Sequence, residues 1–494
     1  MKSRRLDKSR QVVILVLIAL SATLFEASLI VQAQEAPPPP DPVTNDPEQD
    51  QDPEKTQTEE QAPEKKVNAP QESGDDVTSQ LQESSQGVET NSDQRSGPDE
   101  HVTPIEKVVK EEEHESGDNV SGSLRESRDV VVGVWEHGPI SEIYRLWKPM
   151  KDRLYEDTGI DVGMAYTTLY QRATDGESPR EAWSGDVDIF GKWILLNRDV
   201  PNTGSTGFLV EQRHRIANIT PNDLNENLGA LWKTTKAFNV HDAALVQLWW
   251  EQYLFDDHVK VVAGTIDPSN FYNGNRFQNQ NSFFLNQAFS TNPARAFPDN
   301  GLGVNVRIAP SDKFYFSFGA HDTNNSKTTS GFNNLDKDEL FYAWEIGLTP
   351  RFEGQGAGRY RFTAWYTGAG QATNGESGSG FALSFEQDLG NDLVPFLRYG
   401  YQDDQLKATK QVVVGGLGVL NPFGRPHDLF GAGFAWGEPH DSSFRDQYVA
   451  ELFYRYQLTP KIQLTPGFQM IFDPSKNPDD DFIGVFEFRV RVVF

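Results

Sequence analysis

Residues 481–494 read DFIGVFEFRVRVVF. In an extended chain, Phe486, Phe488, Val490, Val492 and Phe494 fall on one face, and Glu487, Arg489 and Arg491 share the other with Val493. Successive side chains of a strand point to opposite faces, so this stretch predicts a strand with one apolar and one charged side. The same period of two runs upstream. Leu302, Val304, Val306 and Ile308 alternate with Gly303, Asn305, Arg307 and Ala309, and Phe314, Phe316 and Phe318 alternate with Tyr315, Ser317 and Gly319. Tyr448, Ala450, Leu452, Tyr454 and Tyr456 alternate with Gln447, Val449, Glu451, Phe453, Arg455 and Gln457. Runs of about ten residues match the length a tilted strand needs to cross a bilayer.

About 16 such runs are expected, near 160–170, 184–195, 206–214, 242–254, 258–266, 301–309, 313–321 and 339–349, then 358–367, 379–388, 393–401, 410–419, 427–437, 446–457, 461–472 and 481–494. Gly415, Gly416 and Gly418 blur the alternation near 410–419. The fold class is therefore all-β, a transmembrane outer-membrane β-barrel of about 16 antiparallel strands, with 18 the neighbouring even count. Connection lengths agree. The short turns Phe255-Asp256-Asp257-His258, Leu389-Gly390-Asn391-Asp392 and Leu458-Thr459-Pro460-Lys461 fall on one side, read as periplasmic. The long polar connections 267–300, 322–338 and 368–379 fall on the other. A soluble β-sandwich gives no reason for that alternation. The final aromatic, Phe494, resembles the recognition signal of outer-membrane insertion machinery, which makes that machinery and outer-membrane lipid expected partners.

The N-terminal part is a different chemistry. Lys2, Arg4, Arg5, Lys8 and Arg10 precede the apolar stretch Val12 to Phe25, and Val31-Gln32-Ala33 offers small residues for cleavage, so 1–33 reads as a signal peptide. Residues 34–129 hold 26 acidic and 8 basic side chains among Pro, Gln and Glu runs. Such a segment has too little to bury to offset its ordering entropy and is expected to be disordered, as a periplasmic tail. Residues 130–159 read as a short helical lead-in, from Ile143, Tyr144, Trp147, Met150 and Leu154, and 160–494 as the barrel. The absence of cysteine excludes disulfides and thiolate chemistry, and the net charge of −27 argues against nucleic acid as a partner.

Sixteen strands leave an aqueous channel, whereas eight fill their own interior. The register turns Arg307, Glu345, Arg359, Arg361, Glu386, Arg398, Glu451, Arg455, Glu487, Arg489 and Arg491 inward, together with Trp249 and Trp365. The connection 267–300 is rich in Asn, Gln and Phe, too aromatic for a freely solvated loop, and it is expected to fold into the barrel and narrow it. Arg276 and Arg295 on this loop are expected to face Arg359, Arg361, Arg398 and Glu451 across the pore, with Trp365 nearby. Guanidinium forks and aromatic faces suit small sugars as transported solutes. No residue pattern calls for a cofactor or metal. Asp186-Val187-Asp188 puts two acids on one strand face, which on an inward barrel face reads as lumen charge rather than a hydrolytic pair.

Several stretches resemble the carbohydrate-selective porins of the OprB type, over roughly residues 155 to 494. They are Leu248-Trp249-Trp250-Glu251-Gln252, Val261-Val262-Ala263-Gly264, Phe284-Leu285-Asn286, Gly301-Leu302-Gly303, Tyr454-Arg455-Tyr456-Gln457-Leu458-Thr459-Pro460 and Pro466-Gly467-Phe468-Gln469 with Asp473-Pro474. The resemblance implies a passive outer-membrane channel for mono- and oligosaccharides. Where that family often carries Gly-Asp-Trp-Gly-Gly ahead of the first strand, this chain has Trp147-Lys148-Pro149-Met150. A general ion-conducting porin and an outer-membrane barrel enzyme stand as alternatives, and a homo-oligomer is compatible with either porin.

Overall fold

The computed structural model describes residues 119–128, 133–135, 139–324, 340–370, 373, 375–390, 392–403 and 406–494. The expected signal peptide, and the acidic segment up to residue 118, lie outside the described residues. Sixteen antiparallel strands form one barrel. They are β1 (Ile160–Ala173), β2 (Glu181–Leu196), β3 (Gly204–Arg215), β4 (His241–Leu254), β5 (Val259–Ile266), β6 (Gly301–Ser311), β7 (Phe314–Asp322) and β8 (Leu340–Leu348). Then come β9 (Gly356–Thr367), β10 (Gly378–Gln387), β11 (Leu393–Gln402), β12 (Thr409–Leu420), β13 (Leu429–Pro439), β14 (Gln447–Thr459), β15 (Ile462–Phe472) and β16 (Phe482–Val493). A two-residue ribbon, Arg351–Phe352, pairs with Gly356 and Ala357 and extends the turn before β9. All sixteen expected strands are present. β16 pairs back onto β1, from Ala165 opposite Val493 to Ala173 opposite Val485, which closes the sheet. Phe494 extends the seam: its amide donates to the Met164 carbonyl at 2.8 Å and its carbonyl accepts from the Met164 amide at 3.1 Å.

Closure leaves no unpaired strand edge. The outer face carries Ile189, Leu248, Phe318, Trp344, Ile346, Phe362, Leu397, Phe434, Leu452, Phe486 and Phe488, all exposed. In water so large an apolar band would drive aggregation, whereas in hydrocarbon it is the favourable surface. Among the described residues no helix is long and apolar enough to cross a membrane, so the crossing elements are strands. One end of the barrel holds the start of β1, the end of β16 and short turns such as 255–258 and 312–313; the other holds the long connections. These are the turn end and the loop end.

Among the described residues, two long connections fold into the lumen. The first, 216–240, contains α3 (Pro221–Leu228), capped by Thr220 and ended by Gly229 at φ 62. Its Trp232 Nε1 donates to Thr409 Oγ1 at 3.0 Å, and Ser184 Oγ donates to the Phe238 carbonyl at 3.0 Å. The second is 267–300, with a 3-10 turn at Pro268–Asn270 and α4 (Gln287–Ser290). Its Phe277, Phe283, Phe284 and Phe289 enter a buried cluster with the wall residues Phe396, Val412, Val414 and Phe453. One of the glycines that blur β12, Gly418, follows from this docking. A Cβ at Gly418 would overlap the Phe277 ring, and one at Gly437 on β13 would overlap Trp232. The wall gives up side chains where loop aromatics press on its backbone.

The N-terminal boundary needs correction. Residues 34–129 read as disordered throughout, yet Val120–Arg128 form a helix, α1. Its only apolar residues, Val120 and Leu124, lie one turn apart and pack with Ala165, Phe190 and Leu209 on the inner wall. Two apolar side chains among charges are too weak a signal without the partner surface in view. The helical lead-in is α2 (Pro139–Thr158), ended by Gly159 at φ 77.

Candidate functional site

Several inward charges on β8 to β16 are bonded to the folded-in loop. Glu451 on β14 accepts from the amides of Leu285 and Asn286 at 2.7 and 2.8 Å. Glu345 on β8 accepts from the Asn273 amide at 2.5 Å, from Tyr315 Oη at 2.6 Å and from Thr363 Oγ1 at 2.7 Å. On β11, Arg398 donates to the carbonyls of Phe289 at 2.8 Å, Thr291 at 2.9 Å and Asn273 at 3.1 Å. Arg361 on β9 donates to the Gly274 carbonyl at 3.1 Å and to Glu386 at 2.8 Å, and Arg489 on β16 donates to the carbonyls of Gln280 and Phe283 at 2.7 and 2.8 Å. A folded-in loop carries backbone donors and acceptors that cannot reach water on the wall side, and each needs a partner. These wall charges supply them.

Five expected pore residues are therefore relocated. Glu345, Arg361, Arg398 and Glu451 are at most 4% exposed and lie behind the loop, not across the passage from it. Trp365 is 2% exposed, packed edge-on against Phe297 at 5.8 Å between ring centres, beneath the loop rather than beside a solute. These side chains point inward, and the loop occupies the position expected for the solute.

Other expected residues do line open space. Arg276, Arg359 and Arg455 border one cavity of about 330 Å³ with Phe277, Phe283, Leu420 and Leu429. Arg276 bonds Asp388 at 2.8 Å, with Arg359 3.8 Å from the same carboxylate, while the Arg455 guanidinium lies 5.0 Å from the Phe283 ring centre. Toward the turn end, Arg307 and Arg359 border a mouth with Lys260 and Arg351. Arg307 stacks 4.1 Å over the Tyr315 ring. Toward the loop end, Arg295 stacks over Phe297 at 4.0 Å and borders a vestibule with Arg213, Lys236, Lys407 and Asp299. Burial pushes the Lys407 ammonium down to about 8, and nearby Lys236 adds repulsion while Asp299 opposes it. Trp249 is half-buried against the α1 cluster.

Sequence reasoning missed Arg125, which borders the same cavity from α1, and the inward fold of 216–240 that brings Lys236 to the vestibule. The aromatics of that connection, Trp232 and Phe238, were the available signal. Asp186 and Asp188 do converge with Glu211, their oxygens within 4.8 Å. Arg213 ties Asp186 at 3.0 Å and Glu211 at 2.7 Å, and His241 lies 2.7 Å from Glu211, an ion-pair network on the inner wall.

A closed sixteen-stranded barrel, narrowed from inside by a folded loop, is the architecture of a pore. The family profile described as carbohydrate-selective porin, OprB family, matches residues 203–494. The chain belongs to the OprB family. Porin AaxA of Chlamydia abortus is similar at 23% identity over 356 residues, 68% of this chain and 78% of that protein. Porin AaxA of Chlamydia felis is similar at 23% over 421 residues, 80% and 93% of the two chains. The high-pH structure of Pseudomonas putida OprB shares the fold, with a TM-score of 0.60 and 18% identity over 70% of this chain and 97% of that one. Family and fold imply the bacterial outer membrane, and they point to a channel rather than an enzyme.

Proposed function

We propose that this porin passes carbohydrates by passive diffusion through its loop-narrowed lumen, with the turn end and the N-terminal arm in the periplasm. The observation that carries the reading is the cavity of Arg276, Arg359 and Arg455 beside Phe283, Leu420 and Leu429, toward the turn end of the lumen. A sugar presents a rim of hydroxyls and a face of C–H bonds. Guanidinium forks bond adjacent hydroxyls, and the phenyl ring and leucine side chains cover the C–H face. A conducting site must bind weakly, so affinity is expected in the millimolar range, about −4 kcal/mol. A general ion-conducting pore is the second reading, favoured by the surplus of guanidiniums over carboxylates around this cavity. The test is ion current through single channels in planar bilayers with added sugar. Saturable block supports the sugar channel; unblocked, anion-preferring current supports the second reading.

A further inference from the structure

We infer that α1 is a resident plug of the lumen and that Arg125 on it is a specificity-determining residue of the pore, an inference that rests on the channel reading above. The helix precedes the barrel in sequence but lies inside it, against the inner faces of β1, β2 and β3. Its attachment is mostly polar. Glu126 takes the Arg491 guanidinium at 2.9 Å and a bond from Gln463 Nε2 at 2.9 Å. Lys461 Nζ donates to the Ser127 carbonyl at 2.8 Å, and Lys151 of α2 donates to the Ser127 hydroxyl at 2.8 Å. Arg128 pairs with Asp161 at 2.8 Å at the turn end. None of these bonds belongs to the strand ladder, which closes through β1 and β16 without the helix.

Arg125 lines two adjoining cavities. One is the cavity with Arg276, Arg359 and Arg455; the other lies between α1 and loop residues Asn279 and Ser282. The helix therefore supplies one of the four guanidiniums around this cavity. It raises the local preference for anionic and hydroxyl-rich solutes, while the body of the helix, about 10–12 Å across with its side chains, takes up cross-section. These two effects are separable by variants of the full chain.

The chain has no cysteine, so Arg125→Cys introduces a single thiol. In planar bilayers, treating this variant with an anionic methanethiosulfonate should lower the current and shift the reversal potential in a KCl gradient toward cations; the same reagent should leave wild type unchanged. Leu124→Asp sets a carboxylate against Ala165, Phe190 and Leu209, releases the helix, and should raise single-channel conductance about two-fold, given the cross-section of a helix. Heat-modifiable mobility verifies that each barrel is folded. If both variants conduct and select like wild type, before and after reagent, the plug is refuted and the porin reading stands. If folded wild type itself opens no channel, the porin reading fails and the plug with it.

Discussion

Glu451 offers the sharpest test of how the loop is held. Its two carboxyl oxygens accept the Leu285 and Asn286 amides at 2.7 and 2.8 Å, and the side chain has no exposure. Asn286 in turn caps α4 through the Ala288 amide at 3.0 Å and donates to Gln469 at 2.8 Å, so the carboxyl fixes the point where loop becomes helix. Glu451→Ala strands two buried donors. Each costs about 1–3 kcal/mol, which places the total near 2–6 kcal/mol. With a factor of ten for every 1.4 kcal/mol, the undocked population of the loop should rise roughly 30-fold to 10⁴-fold. The strand ladder does not depend on this contact, so the variant should still fold as a heat-modifiable barrel. Single-channel recordings should show higher mean conductance and excess open-channel noise. Glu451→Gln, which keeps one acceptor oxygen, should fall between the two. A quiet Glu451→Ala channel of wild-type conductance would refute the anchoring role.

Other consequences follow from the same geometry. Arg276→Ala and Arg359→Ala remove cavity donors without touching the loop's buried anchors; each should weaken sugar block several-fold, near 1 kcal/mol per lost bond, as read from titrations of current against sugar. Gly418→Val forces β12 against the Phe277 ring and should loosen the loop by about 1–3 kcal/mol, detected as faster hydrogen exchange across 276–284 with the barrel amides unchanged. Lys407 is charged below its lowered value of about 8 and neutral above it. Anion preference should therefore fall as pH rises from 7 to about 9, an effect that Lys407→Met should abolish in reversal-potential measurements.

Period-two alternation reports a property of each strand alone, which is why β1 to β16 could be placed within a few residues and why Arg307, Arg359 and Arg455 could be turned inward. Lipid outside and water inside enforce that pattern more strictly than a soluble core does. Loop 267–300 was legible for a related reason: its aromatics had no place in solvent. What the sequence does not encode locally is which inward charges end up beneath the loop. Arg398 and Arg455 have the same strand context, and only the path of Phe289 and Thr291 against one of them separates anchor from lining. The helix α1 was illegible because Val120 and Leu124 acquire meaning only against Phe190 and Leu209, and the connection 216–240 was passed over although Trp232 and Phe238 carried the same signal as the later loop.

A weak sugar site toward the turn end of a conducting barrel should be visible in its current. Its most direct test is the single-channel current of the wild-type protein in planar bilayers as sugar concentration is raised. A saturable fall in current with half-block at millimolar concentrations, relieved in Arg276→Ala and Arg359→Ala, is the predicted result; a current that sugars leave unchanged at every concentration would contradict the account.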